Sequence, residues 1–180
     1  LQLRAENPDD PDSDNITLHA DRSVASLSAS RQSSNSEFDL DGNTLTVDGN
    51  TTVSSGEVRN SSGDLAEIDG QGFAVEGGTI DGDGNGGVAL TSSSGTFEVT
   101  DGEVEGSDID ADGAFEATGG TLDGISLAAA GDAEITGDAT LEEKGATNNN
   151  AGEVTIEFDG SGNQNFKVEG DETIDNISVN

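Results

Sequence analysis

Apolar and polar residues alternate in short bursts along this chain, and the bursts recur. Six segments share one plan: two core-type positions flank a polar one, a Gly- or Asp-rich turn follows, and a further apolar residue closes the unit. They read FDLDGNTL from Phe38, TTVSSGEV from Thr51, FAVEGGTI from Phe73, FEVTDGEV from Phe97, FEATGGTL from Phe115 and AEITGDAT from Ala133. Position one holds Phe38, Thr51, Phe73, Phe97, Phe115 and Ala133, and position three holds Leu40, Val53, Val75, Val99, Ala117 and Ile135. Position eight holds Leu45, Val58, Ile80, Val104 and Leu122, with a slip of one place to Leu141 in the last copy. Period-two alternation sends positions one and three to the same side of a strand. The GG, DG or SG pair behind them supplies the backbone freedom of a sharp corner.

The copies start 13, 22, 24, 18 and 18 residues apart, spacings that suit a β-solenoid turn and not a helical repeat. The pattern predicts an all-β chain folded as a right-handed parallel β-helix of about six rungs. Stacked strands lie about 4.8 Å apart, so six rungs would cover roughly 24 to 29 Å. Phe73, Phe97 and Phe115 would then form an internal aromatic column. A β-sandwich is the alternative, because two apolar strands around a Gly-rich turn also describe a hairpin. Column-wise similarity favours the solenoid, since stacking requires it and a sandwich does not.

Three regions follow from the same reading. Residues 1–35 form an N-terminal extended arm or cap: ENPDDPDSDN holds both prolines and a charge run, and Ile16, Leu18, Val24 and Leu27 then alternate loosely. A cap is expected because an end rung otherwise exposes apolar surface and unpaired edge groups. Residues 36–147 carry the solenoid repeats. Residues 148–180 are expected to form a C-terminal hairpin and a terminal strand, with Val154, Ile156 and Phe158 alternating, DGSGN turning, and Phe166 and Val168 alternating back. EEKGATNNN joins the two as a polar loop.

Charge changes the picture more than any other property. Six basic residues stand against 38 acidic ones, for a net charge of −32. That balance removes the Lys/Arg surface that nucleic acid or anionic membranes require. A low apolar fraction at such a charge would ordinarily mean disorder. Molar salt reconciles charge with repeat, because the Debye length then falls to about 3 Å and surface carboxylates scarcely repel one another. The excess of Asp over Glu, the two lysines Lys144 and Lys167, and the Ser/Thr/Gly content resemble the acidic surface proteins of haloarchaea and their viruses. There is no cysteine, and no apolar run approaches the roughly 20 residues of a membrane helix. The first residue is Leu1 and the sequence holds no methionine, which would fit a start left by cleavage.

Two Asp-rich segments carry the sharpest candidate chemistry. Asp81, Asp83 and Asn85 before Gly86, and Asp108, Asp110 and Asp112 before Gly113, both fit D-x-D-x-[DN]-G. Alternate oxygen-bearing side chains with a Gly at the turn suit a hard cation, and the segments resemble the opening of EF-hand-type calcium loops. That resemblance implies Ca2+ as the ligand. The acidic twelfth-position ligand is missing, since Ser92 and Gly119 stand there, so Glu116, a backbone carbonyl or water would complete the shell. Four N-x-[ST] sequons occur at Asn15, Asn50, Asn60 and Asn176, against roughly three expected by chance.

Catalytic readings find little support. His19 is the single histidine and lies outside the repeats. Carboxylates are abundant enough for a glycosidase-like pair anywhere, which discriminates nothing. Carbohydrate-acting β-helices present Arg, Lys and aromatic side chains in a groove; here Trp and Tyr are absent, and Arg4, Arg22, Arg31 and Arg59 all precede the regular repeats. The Phe residues fall in inward columns or in the alternation of the expected hairpin and read as core. The expectation is a non-enzymatic structural subunit of an extracellular assembly of a halophile: a filament, surface layer or virion appendage. It would self-associate as a homo-oligomer or polymer through its N-terminal arm and C-terminal strand. The alternatives are a monomeric surface adhesin that binds a glycan or cell-surface receptor, and, behind it, a polysaccharide-acting enzyme.

Overall fold

A computed structural model describes residues 2–3, 15–30, 37–82, 86–142, 155–158, 166–168 and 176–179. These residues form an all-β parallel solenoid. The strands in chain order are β1 (Gln2–Leu3), β2 (Ile16–Thr17), β3 (Arg22–Val24), β4 (Leu27–Ala29), β5 (Glu37–Asp39), β6 (Thr44–Val53), β7 (Glu57–Arg59) and β8 (Ala66–Asp81). They continue as β9 (Val88–Ser92), β10 (Phe97–Glu105), β11 (Ser107–Ala111), β12 (Phe115–Ala117), β13 (Thr121–Asp123) and β14 (Ser126–Ala129). The last are β15 (Ala133–Ile135), β16 (Thr140–Glu142), β17 (Thr155–Phe158), β18 (Phe166–Val168) and β19 (Asn176–Val179).

Pairing is parallel throughout and sorts the strands onto three faces. The first face stacks β2, β5, β7, the end of β8, the end of β10, β13 and β16. The second stacks β3, the starts of β6 and β8, then β9, β11, β14, β17 and β19. The third stacks β1, β4, the end of β6, the middle of β8, the start of β10, β12, β15 and β18. Because alternate residues point inward, every turn feeds all three faces into one apolar interior.

The interior consists of columns. Val58, Ile80, Val104 and Leu122 stack on the first face, Leu45, Ile68 and Leu90 on the second, and Val53, Val75 and Val99 on the third, all fully buried or nearly so. The aromatic column forms as expected: the rings of Phe73 and Phe97 lie 5.0 Å apart and those of Phe97 and Phe115 5.6 Å apart, both stacked. The corners need glycine where turns approach. At Gly102 φ is +88°, and a Cβ would run into the backbone of Gly77 and Gly78 in the turn before it.

Four features differ from the sequence reading. Phe38 pairs with Ile16 and Val58 on the first face, so the copy beginning there belongs to another column than the other five, and Leu45 lies on the second face. Five of the six copies therefore share one column on the third face, and the rung count differs slightly from the six expected. An apolar-polar-apolar triplet before a turn occurs on all three faces, so alternation alone cannot assign the face.

Second, β17 and β18 do not form a hairpin: β17 pairs in parallel with β14 and β19, and β18 with β15. Their alternation is that of the second and third faces, and the residues expected to turn between them lie outside the described residues. Third, β2, β3 and β4 already form a turn of the solenoid, so residues 16–29 are stack and not arm. The proline-bearing segment 7–14 lies outside the described residues. Finally, the parallel pairing on every face removes the β-sandwich alternative.

Candidate functional site

The outward side of the first face carries two columns of side chains. One reads Glu37, Glu57, Thr79, Glu103, Thr121 and Thr140, and the other Asp39, Arg59, Asp81, Glu105 and Asp123. The repeat therefore brings carboxylates from separate turns to the spacing of stacked strands. One carboxylate oxygen from each of Glu103, Glu105 and Asp123 falls within 4.8 Å of the other two, and all three residues are half-buried. Such an oxygen-rich trio has the donor chemistry of a hard divalent cation.

Electrostatics along this face follow from the stacking. Arg59 Nη2 lies 3.3 Å from Glu37 Oε2 and is the cation among these two columns. Glu57 has its carboxyl pushed above the usual glutamate value, first by burial and then by the charges of Asp81 and Glu37, against a pull from Arg59 and with a lesser push from Glu105. Asp39 goes the other way. Burial raises it, but the Ser61 hydroxyl at 2.5 Å, the Ser61 and Asp41 amides at 3.0 Å each and the Arg59 charge together hold it below the usual aspartate value.

The sequence-predicted metal residues are distributed differently. Asp81 ends β8 and faces Glu105 in register, so it adjoins the carboxylate trio. Asp83 and Asn85 lie outside the described residues. Asp108 and Asp110 sit on strand β11 and not in a loop, both exposed on the outer side of the second face, and Asp112 follows the strand. Partial burial raises the Asp108 carboxyl. A DxD within an extended strand spreads its side chains along one side instead of wrapping them round a point. The trio escaped sequence reasoning because its members come from different turns. The signal was nevertheless present: the residue just after position eight reads Arg59, Asp81, Glu105 and Asp123 down the copies.

The corner between the first and second faces holds a second polar construction. Asn60, 2% exposed, accepts hydrogen bonds from the Gly42 and Ser62 amides and donates to the carbonyls of Asp64 and Gly87. It thereby joins the corners of three successive turns. Its sequon is sealed, while Asn50 is exposed and Asn15 is exposed with its amide donating to Glu37. Asn176 lies on β19. His19 is exposed, 4.0 Å from Asp41.

The two ends of the stack are unlike. On the second face the inward column runs Leu45, Ile68, Leu90, Ile109, Leu127, Ile156 and Ile177. At its N-terminal end the position is taken by Arg22, which is exposed and donates to the Asp21 carbonyl. At its C-terminal end stands Ile177, 54% exposed where Ile156 is 0%. Among the described residues, no strand pairs with the far side of β19. An inward charge is a common way of blunting a sheet edge, and an uncovered aliphatic residue is the opposite.

No helix among the described residues is long and apolar enough to cross a membrane. Comparison with protein-family models, curated proteins and solved structures returns no match to this chain.

Proposed function

We propose that this chain is a non-enzymatic structural subunit that works by self-association outside the cell or on a virion, in a high-salt setting. The observation that supports it is the contrast between the two ends of the solenoid among the described residues: Arg22 stands at one, and Ile177 is left uncovered at the other. The occupant that best fits the open edge is a second copy of the chain. Its own β19 offers the matching alternation and free main-chain groups, and a contact between two identical edges is isologous and closes on itself. Two strands meeting in this way extend the sheet of the second face across the junction. The acidic outer surface keeps the remainder of each subunit hydrated and apart. Calcium, extracellular placement and the identity of the larger assembly belong to this proposal as expectations.

Sedimentation velocity in multimolar NaCl tests it. The wild type is expected to form pairs, Ile177→Asp to remain monomeric, and Arg22→Leu, which uncovers the other end, to add larger species to the pairs. A wild type that stays monomeric at every concentration, or an Ile177→Asp variant that associates unchanged, overturns the proposal and leaves the monomeric binding module in its place.

A further inference from the structure

Nine Asp–Gly steps punctuate the sequence, and seven of them lie wholly within the described residues. An aspartate before glycine is a step at which a backbone can rewrite itself, because no Cβ on the next residue shields its amide from the carboxyl group. In a folded chain the outcome depends on where that amide is aimed. At two of the steps it is held elsewhere: the Gly42 amide donates to Asn60 Oδ1 at 2.9 Å and the Gly82 amide to the Glu105 carbonyl at 2.8 Å. At the corner between the third and first faces the Gly102 amide instead donates to Oδ1 of Asp101 itself, at 2.8 Å, and Asp101 is exposed. The nitrogen and the carboxyl group that would close a five-membered ring are therefore already side by side. The ladder leaves this step loose as well. Strand β10 pairs with β12 up to Val99 and with β13 from Glu103 onward, and its pairing with β8 shifts register on both sides of Asp101.

We propose that Asp101–Gly102 is a self-modification site, at which the chain converts to isoaspartate through a cyclic imide. The Gly102 nitrogen attacks Asp101 Cγ, so that an N–Cγ bond forms and one Cγ–O bond breaks. The departing oxygen, the amide proton and one proton from solvent leave together as water. Water then adds to the ring at the main-chain carbonyl carbon of Asp101, and the bond from that carbon to nitrogen breaks. The product has the original mass, an α-carboxylate where the peptide carbonyl stood, and a main chain that runs through the former side chain.

The additional main-chain carbon falls where there is little room for it. A Cβ on Gly102 would run into the Gly78 carbonyl of the turn before, and one on Gly120 of the turn after would lie 2.7 Å from the Gly102 carbonyl. A longer chain between those neighbours forces apart turns that are joined on either side of the corner. Val99 stacks there on Val75 and Ala117, and Val104 on Ile80 and Leu122. The corner thereby records the age of a subunit as a loss of stability.

The test holds the full chain for weeks in warm, neutral, multimolar NaCl and maps isoaspartate position by position with electron-transfer fragmentation of its peptides. Isoaspartate is expected at position 101 at least about tenfold faster than at Asp41 or Asp81, whose glycine amides are aimed elsewhere, with the dehydrated imide preceding it. In urea, where the corner no longer exists, the steps should age at similar rates. Aged wild type should unfold at a lower temperature than fresh protein. Asp101→Glu keeps the charge but would have to close a six-membered ring, and it should age without that loss. Absence of isoaspartate at position 101, equal rates across the steps of the folded chain, an aged wild type as stable as the fresh one, or an Asp101→Glu chain that loses stability as fast would each overturn the site.

Discussion

Phe97 offers the sharpest test of the stacked interior. Its ring is completely buried, with Phe73 5.0 Å away on one side and Phe115 5.6 Å away on the other. Truncating such a side chain to alanine costs about 3–5 kcal/mol, through lost transfer energy and the cavity left between turns that cannot collapse along a fixed ladder. Phe38 is the natural comparison. It is 2% exposed, but its column neighbours are Ile16 and Val58, so it has no ring partner there. Each stacked pair is worth about 0.5–1.5 kcal/mol beyond area burial, so Phe97→Ala should exceed Phe38→Ala by about 1–3 kcal/mol. Urea unfolding in multimolar NaCl reads this as a shift of midpoint at unchanged slope, and Phe97→Ala should also lower the thermal midpoint by about 10 °C. Equal losses in the two variants, or a Phe97→Ala loss under about 1.5 kcal/mol, would refute the account of an aromatic column inside the solenoid.

Other consequences can be checked on the same footing as the association experiment above. Asn60→Ala should cost about 2–4 kcal/mol, because it strips partners from two amides and two carbonyls at once, and Asn60→Asp should cost more, since an oxygen then faces the Asp64 and Gly87 carbonyls. Hydrogen exchange at the Gly42 and Ser62 amides would report both. Asp39, held below its ordinary value of 3.8, contributes stability that is present above that pH and lost as pH falls through its folded value. Acid unfolding should therefore set in below about pH 3.8, and Asp39→Asn should flatten that limb of the pH-stability curve.

The chain announced its class through columns. Five copies, from Thr51 to Ala133, sit in the register that their positions one and three predict, and even the slip from Leu122 to Leu141 is a true pairing. What could not be read was which side of the prism a triplet belongs to. Phe38 looks like a third-face residue and lies on the first, because both faces present the same alternation to the same core. The same ambiguity turned β17 and β18 into a supposed hairpin, since alternation does not say whether the partner strand is the next in sequence or a full turn away. The acid trio was hidden for a related reason: Glu103, Glu105 and Asp123 become neighbours through turn length and not through local spacing. Asn60 carries a sequon and is nevertheless a buried corner amide, because the two roles share one short motif.

The stitched corner bears on how such a chain can change length. Residues 60–65 and the glycines Gly82, Gly86 and Gly87 lie at the same corner in adjacent turns, and Asn60 bonds across from one to the Gly87 carbonyl of the other. A Cβ on Gly86 would collide with the Asp64 carbonyl, so the two excursions touch backbone to backbone. Farther along, Gly106 alone makes the corresponding bend. Bulk added to a single turn would therefore stand unsupported above a flat neighbour, whereas bulk added to two consecutive turns supports itself. A peptide grafted at this edge is therefore expected to be best tolerated when both corners are lengthened together.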